Sequence, residues 1–248
     1  MIKQSGWGLV EIMVSLLLTL LLSTLLIQHY FISKRHYNKA QTLLEQSFEL
    51  QLVNGLIRDS IRKAGFTPCL GIELLTTIDR RTNSTSLSAF STGGENQQML
   101  QINRMSEQFA VVSEVIGPQK LLVSSFSDKH GKAGYPVLIA DCYHAEVQLI
   151  SSVSQVKGKT VIELSKPLKF QYHSPFYLGE WLEESFFIRK NKAGKQALYY
   201  KRNHAEELTS LVNHLSINWQ SKKGRILLQV LLGLENSEPV FIETMIRA

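Results

Sequence analysis

Two cysteines are the first residues whose type and number suggest a defined chemistry. Cys69 and Cys142 are the only cysteines in the chain, which excludes a disulfide-dense scaffold and a four-cysteine zinc site. In an exported domain an isolated pair most often forms a disulfide, and two free buried thiols are the alternative. A metal site that adds His144 lacks a fourth ligand at a diagnostic spacing. We therefore expect no metal here.

Motifs for enzyme chemistry are incomplete in this sequence. The run GKT at 158–160 matches the end of a phosphate-binding loop, but Val153 stands where the upstream glycine is required. Ser154 and Lys157 fit the S-x-x-K spacing without its companion motifs. Neither G-x-S-x-G nor H-E-x-x-H occurs. We therefore expect no catalytic residues, no cofactor and no enzyme activity.

Glu11 is a single carboxylate next to a long apolar run. From Ile12 to Ile27 the sequence contains no charge, proline or glycine, and with its flanks such a run is long enough to span a bilayer as a helix. A carboxylate near the start of a membrane helix costs about 2–3 kcal/mol to insert, so it usually has a partner and a function. The alternative is that Glu11 lies among the lipid headgroups and is hydrated.

The apolar run also carries a polar stripe. Ser15, Thr19 and Ser23 follow Glu11 at intervals of four residues, which places all four on one face of a helix. Small hydroxyl side chains favour close helix–helix packing in lipid. The alternative is that these hydroxyl groups bond to carbonyl groups of their own helix.

A retained membrane helix has two alternatives. A secretory signal peptide has a shorter apolar core and a small-x-small cleavage site, which is missing after Ile27. The second alternative is a buried core helix, for which an uncharged run of this length is unusual. Lys34, Arg35 and Lys39 follow the run while only Lys3 precedes it, and this small bias favours a cytoplasmic C-terminal side.

The run Gly6–Met13, GWGLVEIM, resembles the prepilin cleavage and methylation motif of type IV pilins and type II secretion pseudopilins. The resemblance implies that prepilin peptidase cleaves after Gly6 and that Trp7 becomes the methylated first residue. It also implies that Glu11 pairs with the amine of another subunit during assembly. Trp7 and Gly8 differ from the Phe and Thr that are common at these two positions.

Later segments resemble PilW-type minor pilins. The shared segments are Ala64-Gly65-Phe66 followed by Cys69, then Asp141-Cys142, Ile188–Tyr200 and Phe241–Arg247. The resemblance implies an inner-membrane minor pilin that is assembled into or at the tip of a pilus. Its implied partners are other major and minor pilins through the N-terminal helix, prepilin peptidase, the inner membrane and the pilus assembly platform. A type II secretion pseudopilin of the PulJ/GspJ type is one alternative, and a single-span periplasmic binding protein is another.

A long helix must position these residues. Residues 28–64 contain no proline, and apolar residues recur at helical spacing at Ala40, Leu44, Phe48, Leu52, Leu56, Ile57, Ile61 and Ala64. Gly65 and Pro68 then predict the end of the helix. We expect one nearly continuous helix over Trp7–Ala64, and two helices with a break near His29–Lys34 are the alternative.

The rest of the chain predicts a β-rich head. Of the 248 residues of the whole chain 44% are apolar, and the net charge of the whole chain is +6. This composition excludes a disordered chain. Short strand-like runs are separated by turn residues. These runs are Met99–Asn103, Phe109–Val115, Lys120–Phe126, Pro136–Ala140, Glu146–Ser151, Thr160–Leu164, Glu184–Arg189, Gln196–Lys201, Arg225–Leu232 and Val240–Ile246. We expect a short helix over Glu206–Leu215 and a loop over Thr82–Gln98.

These patterns together predict an α+β, pilin-like protein, in which a long helix packs on a mainly antiparallel sheet. The expected segments are a leader peptide over 1–6, a transmembrane helix over 7–28, its amphipathic continuation over 29–64, and a periplasmic head over 65–248. The segment Phe170–Arg202 is rich in aromatic and basic residues. A sheet core with a solvated polar face is the preferred interpretation, and single-stranded nucleic acid binding is the alternative.

Overall fold

A computed structural model describes residues 8–94, 98–124, 133–156, 158–222, 225–235 and 238–246. The chain divides into two compact units, Met1–Gln51 and Leu52–Ala248. The described part combines one α-helix with thirteen β-strands, most of them paired antiparallel. This confirms the predicted α+β class and the mainly antiparallel sheet. Gly6 and Trp7 lie outside the described residues, as does the predicted leader.

The elements have the following bounds. The helix α1 covers Gly8–Arg62, and a short 3-10 helix covers Ile72–Leu74. The strands are β1 (Thr76–Asp79), β2 (Phe90–Gly93), β3 (Met99–Gly117), β4 (Lys120–Val123), β5 (Pro136–Ala140), β6 (His144–Val156), β7 (Lys159–Leu164), β8 (Tyr177–Lys190), β9 (Gln196–Lys201), β10 (Ala205–Thr209), β11 (Val212–Lys222), β12 (Arg225–Leu234) and β13 (Val240–Met245).

The helix α1 is continuous, and the alternative of two helices with a break near His29–Lys34 is wrong. A run without proline allows this, because every backbone N–H can reach its carbonyl partner. The helix ends as predicted, since Gly65 has a positive φ of 68° just beyond it. That left-handed conformation is open to glycine at little cost. The Gly65 N–H then donates to the Asn103 carbonyl oxygen at 2.8 Å.

The predicted apolar stripe on α1 is only partly correct. Leu52 and Leu56 are exposed, while Val53, Ile57 and Ile61 are buried in the second unit. Neighbouring residues are about 100° apart around a helix with 3.6 residues per turn. Leu52 and Leu56 each precede a buried residue by one position, so their side chains turn away from the buried face. Ile57 and Ile61 stay on that face with Val53.

Six strands close into a ring in which every neighbouring pair is antiparallel. β3 pairs with β8, β8 with β5, β5 with β6, β6 with β7, β7 with β4, and β4 with β3 again. β3 is long enough to pair with β2 at its start and β4 at its end, while its pairing with β8 shifts register between Met105 and Phe109. Side chains fill the interior, among them Leu121, Ile139 and Ile162. A closed ring leaves no free strand edge within it.

The seven other described strands lie outside the ring. The long strands β3 and β8 continue past it and carry β2 on one side and β9 and β10 on the other. β1 pairs with β6 in parallel. The strands β11, β12 and β13 form a separate antiparallel three-stranded sheet.

Two secondary-structure predictions are wrong. The segment Glu206–Leu215 is not a helix, because it forms most of β10 and the start of β11, which pair with the adjacent strands β9 and β12. Pairing of these strands overrides the helix-like spacing of Leu208, Val212 and Leu215. The predicted loop over Thr82–Gln98 contains β2, which pairs with the start of β3.

Strand boundaries also differ from the prediction. The runs Met99–Asn103 and Phe109–Val115 are one strand, β3, because a register shift absorbs the polar residues between them. The run Glu184–Arg189 is the second half of β8, and part of the run Lys120–Phe126 lies outside the described residues. The interpretation of Phe170–Arg202 as part of a sheet core holds for several of its aromatic side chains. Those of Phe176, Trp181, Phe186 and Tyr199 are buried.

Candidate functional site: the apolar helix segment and the disulfide

The first part of α1 has the dimensions and composition of a membrane span. Every described side chain from Gly8 to Phe48 is exposed. The most apolar window of α1 has a mean hydropathy of 2.4 and no buried residue. Among the described residues this is one helix that is long and apolar enough to cross a bilayer. A hydrated position for these leucines would leave a large apolar surface in water.

Glu11 lies in the first turn of this helix, and its side chain is exposed. Among the described residues no side chain forms an ion pair or hydrogen bond with its carboxylate. The residues around it are Leu9, Val10, Ile12 and Met13, all of them apolar and exposed. The carboxylate is therefore unpaired within the described part of the chain, and in lipid it would need a partner.

Two of the three hydroxyl groups of the polar stripe bond within their own helix. Ser15 Oγ donates to the Ile12 carbonyl oxygen at 2.9 Å, and Thr19 Oγ1 donates to that of Leu16 at 2.8 Å. This is the local alternative to interhelical bonding. The donors of Ser15 and Thr19 are satisfied without a second helix, whereas neither Ser23 nor Glu11 has a side-chain hydrogen bond among the described residues. Close packing of another helix against the stripe stays a prediction.

In the second unit, Cys69 and Cys142 form a disulfide across a sequence separation of 73 residues. Cys69 lies in the segment that follows α1, and Cys142 lies in the turn between β5 and β6. The predicted pairing is therefore present. Neither sulfur atom is free to bind a metal together with His144, because both form the disulfide. The disulfide ties the chain after the helix to the ring of strands.

Asp141, directly before Cys142, organises this turn. Its buried carboxylate accepts backbone hydrogen bonds from Tyr143 at 2.8 Å, His144 at 2.6 Å and His173 at 2.9 Å. Burial alone would raise its pKa, but these three N–H donors outweigh burial, and the pKa of Asp141 is lowered from 3.8. The imidazole rings of His144 and His173 lie nearby, each with Nδ1 3.7 Å from a carboxylate oxygen. The carboxylate thus fixes the turn that presents Cys142.

A buried carboxylate also anchors the end of α1. Glu184 on β8 accepts a 2.8 Å hydrogen bond from Ser60 Oγ and a 2.8 Å charge-assisted bond from Arg104 Nη2 on β3. Both members of the ion pair are largely buried. The backbone continues this attachment, because the Met105 N–H donates to the Phe66 carbonyl oxygen at 2.9 Å. The last turns of α1 are therefore held by charge as well as by apolar packing.

The sequence did not single out these two anchors. In the sequence Asp141 stands out only as the neighbour of a cysteine, and Ser60 falls on the buried face of α1 among apolar residues. A polar residue at a buried helical position is the signal that could have identified Ser60. Glu184 and Arg104 come from distant strands, and only the register of β3 with β8 brings them together.

No protein-family model, curated protein or solved structure matches this chain. Function is therefore inferred from the residues themselves. The structure brings Cys69 and Cys142 together, and Glu11 belongs to the other unit. Gly6 and Trp7, the predicted site of cleavage and methylation, lie outside the described residues.

Proposed function

We propose that this chain is a minor pilin of a type IV pilus. In this proposal it is an inner-membrane protein with its second unit in the periplasm, processed by prepilin peptidase and taking part in pilus assembly. The observation that carries the proposal is Glu11, a carboxylate without a partner among the described residues, at the start of an apolar and fully exposed helix segment.

Charge pairing supplies the mechanism. Cleavage after Gly6 releases an α-amine at Trp7, and the carboxylate of Glu11 lies on the same terminal stretch. Each charge is costly in hydrocarbon when it is alone. Pairing the carboxylate of one subunit with the amine of another removes both costs. The membrane therefore favours assembly, while the apolar side chains of the helix keep each subunit in the bilayer before it assembles.

The disulfide of the second unit supports a periplasmic location for that unit. A disulfide persists in oxidising surroundings such as the periplasm and is rare in the cytosol. Cys69–Cys142 therefore favours a periplasmic position for the unit Leu52–Ala248. The small positive bias after the apolar run points the other way, but translocated domains often depart from that rule.

The test is the N-terminus of the protein recovered from membranes. We expect the mature chain to begin at N-methylated Trp7. Gly6→Val should abolish cleavage and accumulate the full-length precursor, because the peptidase site must fit a residue without a Cβ atom. Gly8→Val is the matched control, since a Cβ atom at Gly8 meets no atom within 4 Å, and it should be processed normally.

Three results would separate the alternatives. An intact N-terminus in the parent chain, or normal cleavage in Gly6→Val, would remove the prepilin assignment and leave a single-span anchored binding protein. A processed chain that is missing from sheared pili, but is required for secretion of folded proteins, would instead identify a type II secretion pseudopilin. A processed chain in the sheared pilus fraction is the expected result.

A further inference from the structure

The strand β13 forms an unpaired edge of the three-stranded sheet. The Ile246 N–H donates to the Ile226 carbonyl oxygen at 2.9 Å, so Ile246 is a hydrogen-bonded position opposite β12. Hydrogen-bonded and non-hydrogen-bonded pairs alternate along an antiparallel ladder. Phe241, Glu243 and Met245 therefore direct their N–H and C=O groups away from β12. Among the described residues no strand pairs with that side.

The side chains of the same three residues lie on the exposed face of this sheet. Phe241 is 70% and Met245 is 55% exposed. In the β12–β13 register they stand opposite Leu231 and Leu227, which are half-buried, while Gln229 stands opposite Glu243. The exposed face beside this edge is therefore formed by six residues: Leu227, Gln229, Leu231, Phe241, Glu243 and Met245. A cavity of about 200 Å³ opens beside Phe241 and Leu231 and offers room for an additional side chain.

Two other described edges, those of β10 and β2, are better protected. β10 is short, carries Glu206 and Glu207, and has a register shift between Glu207 and Thr209. β2 covers four residues and ends in Gly93. Short strands, charges and bulges are the usual means of blocking an edge. β13 has six residues and a regular register, and its only charged residue is Glu243.

Charge indicates what kind of strand fits this edge. The segment 226–246 contains Glu235, Glu238 and Glu243 and no lysine, arginine or histidine. Glu243 Oε1 accepts a 2.9 Å hydrogen bond from the neutral amide of Gln229, and no described cation pairs with it. A second copy of β13 in full antiparallel register would place Glu243 directly opposite its own copy. Like charges in that position are destabilising.

We propose that the edge of β13 binds an extended segment of a different polypeptide, which adds as an antiparallel strand and carries a lysine or arginine opposite Glu243 between two apolar residues. The main chain of the added strand pairs with the free N–H and C=O groups of Phe241, Glu243 and Met245. Its apolar side chains cover Phe241 and Met245, and one of them enters the cavity beside Leu231. Main-chain pairing gives affinity, and the alternate side chains give specificity.

The test uses the full chain in detergent and a fluorescein-labelled heptapeptide, Thr-Leu-Thr-Lys-Thr-Leu-Thr, with fluorescence anisotropy as the readout. The lysine peptide should bind about five-fold more tightly than the same peptide with glutamate at its centre, as expected for reversing one cross-strand charge pair. Glu243→Lys should reverse that preference. Glu114→Lys, the same charge change on an exposed residue of β3, should leave it unchanged.

A second peptide separates strand addition from adhesion to an apolar surface. N-methylation of the lysine and of both leucines blocks the main-chain bonds and keeps the side chains, so binding should fall at least ten-fold. Equal binding of the methylated peptide, an unreversed charge preference, or no saturable binding would overturn the proposal. A dimer of the full chain in sedimentation, dissociated by Phe241→Ser, would also overturn it, since the occupant would then be a second copy.

Discussion

Ser60, near the end of α1, donates a 2.8 Å hydrogen bond to the Glu184 carboxylate on β8, although 124 residues separate them in the sequence. Arg104 bonds the other oxygen of the same carboxylate at 2.8 Å. One buried charge therefore connects the helix to two long strands. This polar contact holds the end of α1 in addition to the apolar packing of Val53, Ile57 and Ile61.

Removing this carboxylate should strongly destabilise the second unit. Glu184→Leu leaves Arg104 buried without its counter-charge, and we expect the free energy of unfolding to fall by about 3–5 kcal/mol. Ser60→Ala removes one hydrogen bond and should cost about 1 kcal/mol. The measurement is urea unfolding followed by tryptophan fluorescence, to which the buried Trp181 contributes. Glu107→Gln is the control, because Glu107 pairs with Lys63 at the surface and should change stability by less than about 1 kcal/mol. Equal losses in Glu184→Leu and Glu107→Gln would contradict the anchor.

Substitution by alanine should lower the stability of the protein at Gly65 and raise it at Gly55. Gly65→Ala places a side chain at a φ of 68° and a Cβ atom 2.8 Å from Ala89 Cβ. The left-handed conformation alone costs about 1–2 kcal/mol, and the close contact adds to this. Gly55 lies inside α1 with no atom within 4 Å of an added Cβ, so Gly55→Ala should stabilise by about 0.5–1 kcal/mol. Urea unfolding of both variants measures the difference, and a stabilising Gly65→Ala would refute the assigned helix end.

The disulfide should be intact in the protein taken from membranes. Alkylation of the denatured, unreduced chain should label no thiol, and two labelled thiols would contradict the assignment. Closing a loop of this length stabilises by about 4 kcal/mol in the chain-entropy model. The double variant Cys69→Ser with Cys142→Ser should lose about that much. Adding reductant should lower the stability of the parent chain to the level of this variant and leave the variant itself unchanged.

The stability of the protein should depend on pH through the carboxylate of Asp141. Its folded pKa is lowered from 3.8, so its contribution is complete above that value and is lost as the pH falls through the folded pKa. Asp141→Asn cannot titrate. The parent chain should therefore be more stable than Asp141→Asn at pH 7, and the gap should narrow at pH 3. Urea unfolding at both pH values measures it, with the exposed Glu114→Gln as control. A gap that stays constant between the two pH values would show that the charge of Asp141 contributes nothing.

Glu11 is the residue on which the assembly mechanism depends. Glu11→Leu should insert into the membrane at least as well as the parent, since it removes a charge that costs about 2–3 kcal/mol there. It should still be cleaved, yet it should be depleted from sheared pili relative to membranes, and Glu11→Asp should be intermediate. Ser15→Ala is the matched control one turn away, and it should assemble normally because the Ser15 hydroxyl bonds to its own helix. Parental levels of Glu11→Leu in pili would contradict charge pairing.

Features that depend on neighbouring residues were predictable from the sequence. The end of α1 at Gly65, the long helix before it and most strand positions follow from residue type and periodicity. The cysteine pair could be predicted once an exported domain was assumed. What the sequence missed depends on distant partners. The donors to Asp141 include the N–H of His173, which is 32 residues away. The closure of the ring requires β3 to bend between Met105 and Phe109, and no local pattern specifies which strand it meets there.

The disulfide also sets the route by which a pulling force would travel through the second unit. Tension along the backbone of α1 leaves the helix at Arg62 and reaches Cys69 within a few residues. There the covalent bond passes it directly to Cys142, at the turn between β5 and β6. The intervening chain, which includes β1 to β5, forms a closed loop in parallel with that bond and carries no load along its backbone. A pull on the helix would thus leave these strands mechanically shielded, with extension limited to the chain outside the loop.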